Sequence, residues 1–405
     1  CAPLAVSTMT AKSSPRPTRS TSTKTPPDPG TGRAGAGRAA MTDETALTAK
    51  SIPGTVLSID AMGSDLGPAA VVSGMAKSAR KNADLRFIVH GDRPELERLI
   101  ERRRILIDRC EIRHADGVVT MDAKPSVVMR QGKGTSMWSA IDALRAGEAQ
   151  AMVSCGNTGA LMAISMLRLR KIEGVNRPAI GCLWPSRGPQ GFNVMLDCGA
   201  DIRADAEDLL QYALMGASYA RNGLDLPRPR VGLLNVGTED HKGRAELKYA
   251  AELIETVSHA ADFEFVGFVE GGDLPSDRLD VIVTDGFTGN VALKTGEGTA
   301  RLISDLLKEA FRHSPMSRLA AIMAYTSLRR LSKRIDPRRV NGGVFLGLNG
   351  TVVKSHGSAD GTGVSAAIKL AARLAAAGFA KRLAARIADA EQAAAAAIDM
   401  EGRTP

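Results

Sequence analysis

From Thr55 onward the chain alternates short runs of β-branched and aliphatic residues with longer stretches in which apolar positions recur at helical spacing. The runs are Val56 to Ile59, Arg86 to Val89, Ala151 to Ser154, Ala179 to Leu183, Asn193 to Leu196, Arg230 to Asn235, Glu264 to Val269, Val281 to Thr284 and Thr351 to Lys354. Most end in a glycine-containing loop and lead into a helical stretch, the signature of βαβ units on a mostly parallel sheet. Helices are expected over Ala160 to Arg170, directly after Gly156-Asn-Thr-Gly159, and over Val291 to Lys308. An Ala-rich helix over Ser365 to about Ala397 is expected as a docked surface element that frays at its end. Before Ser51 the pattern disappears. That segment is rich in Ser, Thr, Pro, Gly and Ala, which cannot offset the entropy of ordering, so residues 1–51 are expected to be a disordered extension, with a natural start near Met41. Residues 52–390 then form the folded domain and 391–405 a frayed tail.

Six loops follow predicted strands: Asp60-Ala-Met-Gly-Ser-Asp65, Cys155-Gly-Asn-Thr-Gly159, Asp197-Cys-Gly-Ala-Asp201, Val236-Gly-Thr-Glu-Asp240, Asp285-Gly-Phe-Thr-Gly-Asn290 and Ser355-His-Gly-Ser-Ala-Asp360. In an open α/β sheet such loops gather at one edge, beyond the carboxyl ends of the strands, where ligands bind. Glycines let backbone N–H groups approach an anion, and helix N-termini carry partial positive charge. One such loop means little, because strand-to-helix turns need glycine anyway. Six together, carrying Asp, Asn, Thr, Lys and His, point to a polar site.

The +9 net charge changes this picture little. Lys12, Arg16, Arg19, Lys24, Arg33, Arg38 and Lys50 lie in the extension against only Asp28, Asp43 and Glu44, leaving the folded body mildly basic. With 4% aromatic residues and no basic run interleaved with aromatics, nucleic acid is not an expected partner. The five cysteines include no C-x-x-C pair, which fits a reducing compartment. No apolar stretch approaches the roughly 20 residues that span a bilayer, so neither secretion nor a transmembrane anchor is expected. Between Glu309 and Asp336 there is no acidic residue, while Arg312, Arg318, Arg329, Arg330, Lys333 and Arg334 accumulate beside Leu319, Ile322, Met323, Leu328, Leu331 and Ile335. Pro315 splits this stretch into a basic helical pair, expected to project from the body.

Two common chemistries drop out. Gly132-Lys133-Gly134-Thr135 resembles the end of a P-loop, but Val127 stands where its first glycine belongs, and no G-x-G-x-x-G follows the first strand. Among single residues, Lys242 either neutralises a bound oxyanion or is a solvated surface lysine. Asn290 either holds a carbonyl oxygen or caps the helix after it. His356 is a candidate acid or base, or a backbone hydrogen-bond partner. Cys155, at a strand end before a helix, is a candidate thiolate or a small buried apolar residue.

Together the loops closely resemble PlsX-type phosphate acyltransferases, from about Val56 to about Arg373. The strings that carry the resemblance are Asp60-Ala-Met-Gly63 with Asp65, Lys124-Pro125, Ser136-Met137, Cys155-Gly-Asn-Thr-Gly-Ala-Leu161, Leu196-Asp197 with Gly199-Ala200, Gly232-Leu-Leu-Asn-Val-Gly237 with Lys242-Gly243, Asp285-Gly-Phe-Thr-Gly-Asn-Val291, Gly342-Gly343 and His356-Gly-Ser358. The resemblance implies a three-layer α/β/α sandwich related to isocitrate dehydrogenases and phosphotransacetylases, forming a homodimer. It implies transfer of a long-chain acyl group from acyl carrier protein to inorganic phosphate, giving acyl phosphate for phospholipid synthesis, with no metal or organic cofactor.

It further implies that Lys242 and Asn290 lead the catalytic site, with Asp60, Gly63, Gly156, Asn157, Thr158, Gly159, Gly286 and His356 in substrate-binding loops. Arg318, Arg329, Arg330, Lys333 and Arg334 are expected to touch carrier protein or membrane, so the enzyme is expected in the cytoplasm, peripherally attached to the membrane. Departures from the family pattern are Ser64 for a second glycine, Asn341 for a tyrosine, and Asp201 where asparagine is usual; Asp201 would add negative charge if its loop faced phosphate. The competing readings are a phosphotransacetylase-like enzyme acting on short acyl-coenzyme A, an NAD-dependent decarboxylating dehydrogenase, and a basic membrane or nucleic-acid binder. The dehydrogenase would need a cluster of metal-binding acids that cannot be assigned, and the binder would leave six polar loops without purpose.

Overall fold

The computed structural model describes residues 54–239, 241–328 and 342–389. The expected extension 1–51, the tail 391–405 and the basic residues Arg329, Arg330, Lys333 and Arg334 therefore lie outside the described residues. Eleven strands form one sheet: β1 (Val56–Asp60), β2 (Arg86–Gly91), β3 (Cys110–His114), β4 (Ala151–Ser154), β5 (Ala179–Pro185), β6 (Phe192–Leu196), β7 (Arg230–Leu234), β8 (Glu264–Val269), β9 (Val281–Val283), β10 (Gly343–Leu346) and β11 (Thr351–Lys354). The helices used below are α1 (Pro68–Lys81), α2 (Arg93–Glu101), α3 (Pro125–Gln131), α4 (Ser136–Arg145), α5 (Thr158–Leu169), α6 (Ala206–Leu224), α7 (Ala245–Ser258), α8 (Gly286–Arg312), α9 (Pro315–Met323) and α10 (Gly361–Ala376).

Successive strand residues feed opposite faces, as the twofold period of a strand requires. Val153, Leu196, Val283 and Val353 enter one core, whereas their neighbours Met152, Met195, Ile282 and Val352 enter the other. Both faces are covered, so the sheet is the middle layer of an α/β/α sandwich and its central strands are near-continuous apolar runs. Helices α1, α6 and α10 supply the first core, and α4 and α5 supply the second. Helix α10 is accordingly a core element: Val364, Ala367, Ile368, Ala371 and Leu374 are buried, against the expectation of a surface helix. It ends near Gly378, whose φ of +60° turns the chain into a further helix, Phe379–Asp389. No single described helix is long and apolar enough to cross a membrane.

The strand order is β3-β2-β1-β4-β11-β10-β5-β6-β9-β7-β8. β1, β2, β3, β4 and β11 run parallel to one another, as do β6, β7, β8 and β9. Between these blocks, β10 is antiparallel to both β11 and β5, and β5 is antiparallel to β6. Three reversals separate the blocks, so they point in opposite directions. The six polar loops therefore do not gather at one edge: those after β1, β4 and β11 leave one edge, and those after β6, β7 and β9 leave the other. Twist offsets part of the separation, because roughly 20° per strand accumulates to about 120° over the steps from β1 to β9.

Candidate active site

Adjacent strands β1, β4 and β11 bring the first group of loops together. Asp60 ends β1 and is buried; one carboxylate oxygen accepts the Ser136 hydroxyl at 2.7 Å and the other the Ser154 hydroxyl at 2.6 Å. Burial raises its pKa, while the two serine bonds pull the other way. Gly63 runs against the next loop so closely that a Cβ there would lie 2.7 Å from the Gly156 Cα, leaving room only for glycine. Asn157 caps α5 by accepting the Ala160 amide at 2.9 Å, and its Nδ2 donates to the Met121 and Ala123 carbonyls at 2.7 and 3.1 Å. Thr158 and Gly159 follow as exposed residues of the first helical turn. Asp60 and Asn157 thus hold loops in place with every bond just named going to protein.

Lys354, at the end of β11, was not singled out from the sequence. Its ammonium donates to the Cys155 carbonyl at 3.2 Å and to the Ser355 carbonyl, and burial lowers its pKa to about 8. Cys155 is likewise buried, which pushes its thiol up to about 11, so the apolar reading of this residue fits and the thiolate reading does not. The only sequence sign of Lys354 is a charged residue closing an otherwise apolar run.

Beyond β6, β9 and β7 lies the second group. Asp197 is fully buried; Oδ1 accepts the Ile180 amide at 2.7 Å and Oδ2 the Ala200 and Asp201 amides at 2.8 and 2.9 Å. Burial raises its pKa to about 6. Asp285 is the N-cap of α8, accepting the Thr288 amide at 2.8 Å, so this helix starts five residues earlier than expected and Asn290 is not its cap. Asn290 instead lies one turn in, exposed, with Nδ2 donating to the Cys198 carbonyl at 3.2 Å. Gly199 passes so near that a Cβ on it would sit 2.9 Å from that Nδ2. The Gly286 amide donates to Asp201 Oδ1 at 3.1 Å.

Lys242 lies in the neighbouring loop after β7, its ammonium 2.8 Å from Glu239 and its side chain 41% exposed. Glu239 raises the lysine's pKa, keeping it charged. The loop is pinned by Asn235, whose Nδ2 donates to the Lys242 carbonyl at 3.2 Å and whose Oδ1 accepts the Val236 amide at 2.9 Å. Arg244 then reaches Asp285 at 2.8 Å and ties the Lys242 loop to the start of α8.

Helix α8 joins the two groups. Asn290, Lys294 and Glu297 are spaced i, i+4, i+7 and so share one stripe, about 10 Å long from first to last. Glu297 is 3.0 Å from the Lys294 ammonium and 3.3 Å from His356 Nε2, in the loop after β11. Those partners, His356 first, lower the Glu297 pKa to about 2. The structure thus brings Lys242, Asn290 and Gly286 together at one sheet edge and Asp60, Gly63, Gly156, Asn157 and His356 at the other, with α8 spanning between. Further along α8, Leu302, Ile303, Leu306 and Leu307 are exposed, as are Met316, Arg318, Leu319, Ile322 and Met323 of α9.

A mixed sheet sandwiched between helices is a fold this chain shares with solved phosphotransacetylases. A phosphotransacetylase from Streptococcus pyogenes superposes with a TM-score of 0.54 at 17% identity, covering 80% of this chain and 94% of its own. EutD phosphotransacetylase from Staphylococcus aureus gives a TM-score of 0.52 at 14% identity, with the same coverage. At those identities the likeness concerns the fold. Sequence goes further: residues 55–382 match the family described as "Fatty acid synthesis protein". The "Phosphate acyltransferase" of Jannaschia sp. (strain CCS1) is 78% identical over 362 residues, 89% of this chain and 99% of that protein, and that of Paracoccus denitrificans (strain Pd 1222) is 74% identical over 341 residues, 84% and 92%. The chain belongs to this family of PlsX-type phosphate acyltransferases, and it is an acyltransferase.

Proposed function

We propose that the enzyme transfers a long-chain fatty acyl group from acyl carrier protein to inorganic phosphate, releasing acyl phosphate for phosphatidic acid synthesis. The observation that carries this reading is the tie between the Lys242 loop and the helix bearing Asn290, which sets a charged ammonium and an exposed carboxamide at adjacent strand ends. Phosphate is already a competent oxygen nucleophile and a thioester an activated electrophile, so no enzyme nucleophile is required. The protein must bring a dianion to the carbonyl, orient it, and stabilise the tetrahedral oxyanion. Lys242 suits the first task once phosphate displaces Glu239 from the ammonium. Asn290 suits the last: one Nδ2 hydrogen is held by the Cys198 carbonyl, which leaves the other for the oxyanion.

We further propose that the enzyme works in the cytoplasm as a homodimer attached reversibly to the membrane surface. The exposed apolar residues of α8 and α9, with Arg318 among them, support a contact with carrier protein or an anionic bilayer. Incubating the purified protein with palmitoyl–acyl carrier protein and phosphate, and trapping acyl phosphate with hydroxylamine, tests the reaction. Replacing the donor with acetyl-coenzyme A tests the short-chain alternative, which requires efficient acetyl transfer.

A further inference from the structure

Asp201, one of the departures from the family pattern, has a bond at each carboxylate oxygen. Oδ2 accepts the hydroxyl of Tyr212, a fully buried residue of α6, and Oδ1 accepts the Gly286 amide at the start of α8. Burial first, and then the Asp201 charge, holds the Tyr212 pKa far above the ordinary tyrosine range, so the phenol stays a donor. The carboxylate's charge is thus directed to a phenol and to the positive end of a helix, away from a phosphate at Lys242.

Two routes lead from this pair to Asn290. Gly286 is four residues before Asn290, one turn along α8, so the bond to its amide sets where that turn stands. The Asp201 backbone closes the turn 197–201 through its amide bond to Asp197, and that turn presents the Cys198 carbonyl that holds Asn290 Nδ2. We propose that Tyr212 and Asp201 are positioning residues for acyl transfer, their bond fixing the 197–201 turn against the start of α8 and so aiming the Asn290 amide. The inference rests on the reading of Asn290 as the oxyanion donor.

Removing the phenol oxygen leaves a carboxylate short of one partner beside Asp197, and the turn relaxes. Tyr212→Phe is therefore expected to lower kcat about tenfold, the effect of one positioning hydrogen bond, with the KM for phosphate within about twofold of the parent value. In an Asn290→Ala background Tyr212→Phe should have almost no further effect, because a residue that acts through Asn290 cannot act without it. The experiment is this cycle, measured with palmitoyl–acyl carrier protein and inorganic phosphate by hydroxamate trapping, with thermal melts of each variant. Should Tyr212→Phe not fold, Asp201→Ala, which removes the same bond, takes its place in the cycle with Asn290→Ala, with the same expectation. Wild-type kcat in the Tyr212 variant, or effects that multiply in full, overturns the positioning role while leaving the Asn290 reading intact. Wild-type turnover in Asn290→Ala overturns both.

Discussion

The roles proposed for Asn290 and Lys242 make distinct demands on kinetics. Losing one oxyanion donor costs about 10²- to 10³-fold in turnover, so Asn290→Ala should cut kcat on that scale while the melting temperature holds, because the residue is exposed and contributes little core. Lys242→Ala should chiefly raise the KM for phosphate, since a charge-assisted bond to it is worth about 1.5 to 3 kcal/mol. A variant with unaltered kinetics at low phosphate would make Lys242 a surface residue only. Asp197 carries a pH signature. Its folded pKa of about 6 lies above the ordinary carboxylate range, so protonation favours the folded state: this contribution to stability is fully present below about pH 4 and is lost as pH rises through 6. Asp197→Asn should flatten that part of the stability profile, as chemical denaturation between pH 4 and 7 would show. Sequence marked Lys242, Asn290 and Asp201 as residues of loops after strands, but their partners could not be read: Tyr212 lies eleven residues from Asp201 in a helix, and Gly286 eighty-five away.

Helices and strands were legible wherever local chemistry determines them. Each of the nine apolar runs became a strand, the central ones because a strand buried on both faces must be apolar throughout. Strand β3 escaped because Cys-Glu-Ile-Arg-His sits at the sheet's edge, where only one neighbour pairs and polar residues are tolerated. β10 escaped because its run opens on the pair Gly342-Gly343, which reads as a turn. Strand direction is written in no local pattern, since parallel and antiparallel central strands are equally apolar, and the three reversals around β10 and β5 divided the loops between two edges. Helix α8 then acquires a role that loops alone did not suggest, contacting Cys198 through Asn290 and His356 through Glu297. Changing Arg329, Arg330, Lys333 and Arg334 to Gln should weaken flotation with anionic vesicles, each charge contributing about 1 kcal/mol near such a surface, and leave thioester chemistry in solution largely intact. Equal flotation of parent and variant at low salt would remove the basic segment from membrane attachment.

For the whole molecule, the sandwich supplies two loop groups at opposed sheet edges and one helix, α8, that contacts both. The reaction itself is the direct test: purified enzyme is given palmitoyl–acyl carrier protein with and without inorganic phosphate, and hydroxylamine converts any acyl phosphate formed to palmitoyl hydroxamate. Phosphate-dependent appearance of the hydroxamate, matched by release of carrier-protein thiol, is the predicted result. Thiol release that ignores phosphate, or no turnover of this donor alongside rapid turnover of acetyl-coenzyme A, would contradict it.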